Sequence, residues 1–157
     1  MDGNKLERKY LMHYIDASFG GGKYERIGKD LEEYNIELNP DSETVKNIIG
    51  ENSTNVKGYE VTASVDTYYA REGDALFTKL NQIINERSTG SQLETTVVDI
   101  LTNSEGDVIS AYKEDAIIIP QSIGGDTAGV QIPYEIHYNG NRTAGTWDAE
   151  TKAFSPS

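Results

Sequence analysis

Gly20-Gly21-Gly22-Lys23 is the segment whose residue types most invite chemistry, because a glycine run ending in lysine can wrap a phosphate with backbone N–H groups. That pattern also needs glycine five positions ahead of the Gly-Lys pair and a hydroxyl residue after the lysine. Ala17 and Tyr24 occupy those places, and no helical periodicity follows. The run reads as a flexible loop. Asp30, Glu32, Glu33 and Glu37 crowd one segment, and carboxyl groups about 5–9.5 Å apart are what glycoside hydrolysis uses. Carboxylates on a solvated strand face are spaced in the same way, and that reading is preferred. His13 and His137 are the two histidines, and neither has a second ligand at helical or hairpin spacing, so both are expected at the surface or rim. Asn103-Ser104-Glu105-Gly106-Asp107 has a calcium-loop flavour, but Leu101 stands where the first ligand belongs. A hairpin turn fits it better. Gly-x-Ser-x-Gly is missing and cysteine is absent, which removes the nucleophile elbow, thiol chemistry, disulfides and thiolate zinc. These residues point to no enzyme, no cofactor and no metal.

The elements that would carry such groups are mostly strands. Tyr34, Ile36 and Leu38 alternate with Asn35 and Glu37; Tyr59, Val61, Ala63 and Val65 alternate with Glu60, Thr62, Ser64 and Asp66. Val130, Ile132, Tyr134, Ile136 and Tyr138 do the same, with Pro133 marking that strand as an edge or a bulge. Weaker strand signals lie at 10–17, 45–49, 95–101, 108–112 and 116–119, the last an apolar run expected to be buried on both faces. Asn139-Gly140-Asn141 reads as a tight hairpin turn that would fold a strand over 142–147 back onto 130–138. One segment changes period. Leu76, Phe77, Leu80, Ile83 and Ile84 form the stripe of an amphipathic helix over about 75–87, with Asp74 as N-cap and Gly90 at its exit. Eight or nine strands and one helix predict a mainly β fold, two packed antiparallel sheets of sandwich or barrel type, with the helix plugging an open edge or end.

At 157 residues the chain is expected to be one domain, with a flexible N-terminal arm (about 1–9) and C-terminal tail (about 153–157). Acidic residues outnumber basic ones 26 to 14, for a net charge of −12. Phosphate affinity comes from clustered Lys and Arg, so direct nucleic-acid binding is disfavoured. No apolar run approaches the roughly 18 residues of a membrane span, and polar Met1–Tyr10 is not a signal peptide. Hydrophobic residues make up 36% of the chain, which predicts a thin core. Ten tyrosines against three phenylalanines fit either half-exposed interfaces or simple strand preference.

A linked run of short patterns adds a resemblance. Lys46-Asn47-Ile48-Ile49-Gly50-Glu51-Asn52-Ser53-Thr54, Gly58-Tyr59 and Ser64-Val65-Asp66-Thr67-Tyr68-Tyr69-Ala70-Arg71-Glu72-Gly73-Asp74 lead into the helix. Gly124-Gly125-Asp126-Thr127, Ile132-Pro133-Tyr134 and Tyr138-Asn139-Gly140-Asn141-Arg142 follow. Over roughly 24–147 the chain resembles the tail tube (major tail) proteins of bacteriophages and prophages of Gram-positive hosts. The resemblance implies two packed sheets with one flanking helix, and hexameric rings stacked into a hollow tube around a tape-measure protein. Tail-tip and terminator proteins would be the other partners, and DNA would pass through without specific binding. The location implied is the virion tail, after a stage in the host cytoplasm, with no membrane and no catalytic residues.

Two sets of residues follow as expectations. A negative lumen repels phosphate at close range, since the Debye length is about 8 Å at physiological salt; Glu33, Glu37 and Glu60 are the candidates to face it. A loop or hairpin is implied to stack one ring on the next, with Asn39, Pro40, Asp41 and Ser42, or Asn52, Ser53, Thr54 and Asn55, as the candidates. The rival class is a monomeric β-sandwich module binding carbohydrate or a small ligand, which predicts exposed aromatics clustered at one loop end and no polymerisation. A tube protein of a contractile injection system is a further alternative.

Overall fold

The computed structural model describes residues 3–157. Of the expected N-terminal arm, Met1 and Asp2 lie outside the described residues; residues 3–7 carry no regular element, and Arg8–Tyr10 form one 3-10 turn. Thirteen strands and one α-helix follow: β1 (Leu11–Asp16), β2 (Tyr24–Ile27), β3 (Ile36–Glu37), β4 (Pro40–Lys46), β5 (Asn52–Tyr59), β6 (Thr62–Val65), α1 (Ala75–Glu86), β7 (Glu94–Thr102), β8 (Val108–Pro120), β9 (Gly124–Asp126), β10 (Gly129–Gln131), β11 (Tyr134–Tyr138), β12 (Thr143–Asp148) and β13 (Ala153–Pro156). The fold is mainly β and antiparallel with a single helix. A curled nine-stranded sheet runs in the order β2-β1-β7-β8-β11-β6-β3, with β12 and β13 attached beyond β8. β4–β5 and β9–β10 are separate two-stranded ribbons.

The middle of the sheet is covered on both faces. Ile15, Val97, Ala116, Ile118, Ile136 and Tyr134 join Leu76 and Leu80 of α1 in the larger core. The helix therefore packs on a face of the sheet, against β8, and does not plug an edge. On the other face Tyr14, Val98, Ile100 and Ala111 meet Trp147 of β12, with Phe154 of β13 alongside. The Trp147 ring lies 4.5 Å from the Tyr14 ring, tilted by 36°, and meets the Tyr24 ring edge-on at 5.8 Å. The chain's end thus supplies the second layer as a hairpin, Asp148↔Ala153 to Gly145↔Pro156. Asp74 caps α1 by accepting from the Leu76 N–H at 3.1 Å. At the other end Arg87, not Gly90, takes the left-handed conformation (φ 51°), and the Ser88 N–H closes on the Ile83 carbonyl.

Several strand boundaries differ from expectation for identifiable reasons. Pro133 splits 130–138 into β10 and β11, because it has no N–H to give a ladder; β11 then lies between β8 and β6, away from any edge. The 59–66 run breaks at Glu60-Val61, and of 34–38 only Ile36–Glu37 pairs. The 108–112 and 116–119 segments are one strand, and Ile117 and Ile119 are half-exposed while Ala116 and Ile118 are buried. Asn139-Gly140-Asn141 is no hairpin turn. β11 pairs with β8 at 116–120, and β12 continues along the same edge at Lys113 and Tyr112. The Asn-Gly-Asn segment bulges outward between them, held by Asp115, whose N–H donates to the Gly140 carbonyl and whose carbonyl accepts from Asn139.

Candidate functional site

Residues 40–59 form the feature least explained by folding alone. β4 and β5 pair from Pro40↔Tyr59 to Lys46↔Asn52 with one bulge at Asp41/Ser42, and all their residues except Gly58 are exposed. Both faces carry polar groups: Thr44 and Thr54 hydroxyls meet at 3.0 Å, and Lys57 pairs with Glu43 at 2.9 Å. A two-stranded ribbon with no packed face is marginal on its own in water. The sequence's two stacking candidates are brought together here as arms of one hairpin. Asn39, Pro40, Asp41 and Ser42 form its base, and Asn52, Ser53, Thr54 and Asn55 lie in the half nearest the tip.

The tip is built, not loose. The Asn47 side-chain oxygen accepts from the Ile49 and Glu51 N–H groups at 3.1 and 3.0 Å, its amide donates to Glu51 at 2.9 Å, and Gly50 supplies the positive φ of 89°. Ile48 (104% of its reference area) and Ile49 (76%) are held outward at the apex.

At the base, Asn39 adopts φ 45° and turns the ribbon away from the sheet. Its amide donates to the Glu60 carbonyl (2.9 Å) and the Thr62 hydroxyl (3.1 Å). Glu37 pairs with Thr62 across β3–β6, so Glu37 and Glu60 flank this joint, both exposed. Glu33 does not join them. It lies in the 28–35 loop, pinned by the buried Tyr34, on a different groove. Beside the joint is a groove of about 600 Å³ walled by Leu11, Ile36, Leu38, Tyr59, Val61 and Tyr112, with Asp99, Ser110, Glu114 and Arg142 also lining it.

His13 overturns the expectation of a surface histidine: it is buried (4% exposed), because both faces of β1 are covered. It stands opposite Asp99 across β1–β7 and its Nδ1 lies 2.7 Å from that carboxylate. Arg8 approaches Nε2 at 3.0 Å; arginine only donates, so Nε2 accepts and the ring proton sits on Nδ1. Tyr138 donates to the other Asp99 oxygen at 2.7 Å. The same arginine donates to the Tyr34 carbonyl, tying the N-terminal turn to the core. His137 is half-exposed beside Glu135.

The glycine run is not an open loop. Asp16 fills it: the carboxylate accepts from the N–H groups of Ser18, Gly20, Gly22 and Lys23 and from the Ser18 hydroxyl. Burial raises the Asp16 pKa, but these hydrogen bonds outweigh it and hold the carboxyl below its ordinary value. The nest that a phosphate would need is occupied by the chain's own carboxylate. Asp30 makes a two-pronged pair with Arg71 (2.9 and 3.0 Å), and those hydrogen bonds lower its pKa. Glu25 is pushed up to about 7 by burial and by the Asp74 carboxylate, which also accepts from Tyr68. Asn103–Asp107 is the β7–β8 turn, as its composition implies. Among the described residues no group of three or more His, Asp or Glu is placed to hold a metal ion.

Known structures match this architecture. A sheath/tube terminator chain of an extracellular contractile injection system (PVC, extended state) superposes with TM-score 0.58 at 12% identity, covering 93% of this chain and all of that one. A chain of the sheath–tube complex of an extracellular contractile injection system gives TM-score 0.53 at 11% identity, covering 89% and 90%. The likeness is one of fold. No family model matches the chain, and no curated protein matches it in sequence.

Proposed function

We propose that this chain is a non-enzymatic structural subunit of a phage tail or tail-like tube, which joins copies of itself in hexameric rings and stacks them through the β4–β5 hairpin. The exposed hairpin carries the reading: it buries almost nothing on its own chain, so its ordering is explained by a partner surface. The fold shared with terminator and tube-complex chains supports the same class. Tape-measure, tail-tip and terminator proteins are the further partners, DNA passes through unbound, and the mature location is the virion tail after a stage in the host cytoplasm. Glu37 and Glu60, side by side at the hairpin base, are the better lumen candidates; Glu33 lies apart from them.

The terminator match favours a second reading, in which the chain caps a tube built by another protein. A tube subunit extends seeds without limit, whereas a cap arrests their growth. Adding the purified protein to tail-tip seeds and measuring lengths separates the two. The monomeric binding-module reading predicts clustered exposed aromatics, but of the ten tyrosines Tyr59 alone is exposed. Lysine at positions 33, 37 and 60 tests the lumen: intact tails with slowed DNA ejection support it, and unchanged ejection removes these residues.

A further inference from the structure

We infer that the Ile48–Ile49 tip of one copy seats in the apolar groove beside the hairpin base of a second copy. This rests on the tube reading and names its receiving surface. Three observations lead there. First, the apolar knob is presented by a hydrogen-bonded turn, so little conformational freedom remains to be lost when it docks. Second, the groove is lined mainly by apolar side chains, with Leu38 and Tyr59 exposed. Its carboxylates Asp99 and Glu114 are largely buried and already paired on their own chain with His13, Tyr138 and Arg142, so the surface it offers is an uncovered apolar one. Its volume of about 600 Å³ is that of a site that takes a compact group.

The third observation fixes the occupant as another copy. Leu38 and Tyr59 wall the groove at the foot of the hairpin, and seven strand residues at about 3.3 Å each put the tip over 20 Å away. A chain cannot fill its own groove. Knob and socket are different patches of one surface, so the contact is heterologous and repeats from copy to copy. Charge agrees. Copies carrying −12 repel one another, and residues 40–59 hold three acidic against two basic side chains, leaving the hairpin as the near-neutral approach.

The absence of cysteine allows a direct test. Ile49→Cys and Ser110→Cys proteins are mixed and oxidised over a range of concentrations, with Glu150→Cys replacing the groove partner as control. A disulfide-linked dimer forming at least tenfold faster with Ser110→Cys than with the control upholds the socket. Equal rates overturn it. Ile48→Asp in the tip-bearing chain, which alters only an exposed residue, should abolish the excess. Tubes without the selective crosslink overturn the socket and leave the tube reading standing; the crosslink without tubes upholds the socket and counts against the tube.

Discussion

Asn39 and Glu60 hold each other twice: the Asn39 amide donates to the Glu60 carbonyl at 2.9 Å, and the Glu60 N–H donates to the Asn39 carbonyl at 3.3 Å. This clasp joins an otherwise unsupported ribbon to the nine-stranded sheet. It sets the direction in which the hairpin leaves the body, and it places Glu37 and Glu60 together at the exit.

Asn39→Ala should loosen that joint. Alanine loses the amide bonds and tolerates φ 45° poorly, for a cost of about 1–2 kcal/mol. Hydrogen exchange should speed up in residues 40–59 while β7 and β8 stay protected. Equal protection of the ribbon would show that the clasp is dispensable.

Asp16→Asn should destabilise the fold by about 2–3 kcal/mol, since an amide NH₂ then faces backbone donors that have lost a charged acceptor. Urea midpoints measure it. A change within error would mean that water replaces the carboxylate at no cost.

Stability should fall as pH rises from about 4.5 to about 7 on account of Glu25. In that window the folded chain keeps a proton that the unfolded chain has released, so the contribution is complete below 4.5 and lost on passing 7. Solvent screening of this half-exposed group limits the effect to the order of 1 kcal/mol. Asp16 acts oppositely, its contribution lost as pH falls below its ordinary value of 3.8. Glu25→Gln should flatten the slope between pH 5 and 7 in urea titrations.

Trp147→Ala should cost about 3–5 kcal/mol by emptying the second core. Trp147→Phe should cost much less, because the ring remains and a buried indole N–H without a partner is removed. Circular dichroism is the probe, since this is the chain's only tryptophan.

What was legible in the sequence follows from where one face alone is buried. The helix is readable because Leu76, Leu80 and Ile83 keep one period on one buried face, and Asp74 because a cap is a local signal. β7 gives a weaker signal because Val97 faces one core while Val98 and Ile100 face the other. The burial of His13 was not readable, because β1 is sandwiched and both of its parities are covered. The hairpin was hidden for the opposite reason: neither face is buried, so 40–46 and 52–59 carry no alternation. The Gly20–Gly22 run looked loose because nothing local shows that Asp16, four residues earlier, would fill it. The partner of β12 is not legible because Asn-Gly ordinarily signals a reversal, and here it serves as a bulge along one continuous edge of β8.

The most direct test is electron microscopy of the purified protein across concentration, with and without tail-tip seeds, alongside its mass in solution. Rings or tubes about 100 Å wide are expected, the scale of six such domains around a channel. A protein that stays monomeric at high concentration and adds to no seed would contradict the tube reading.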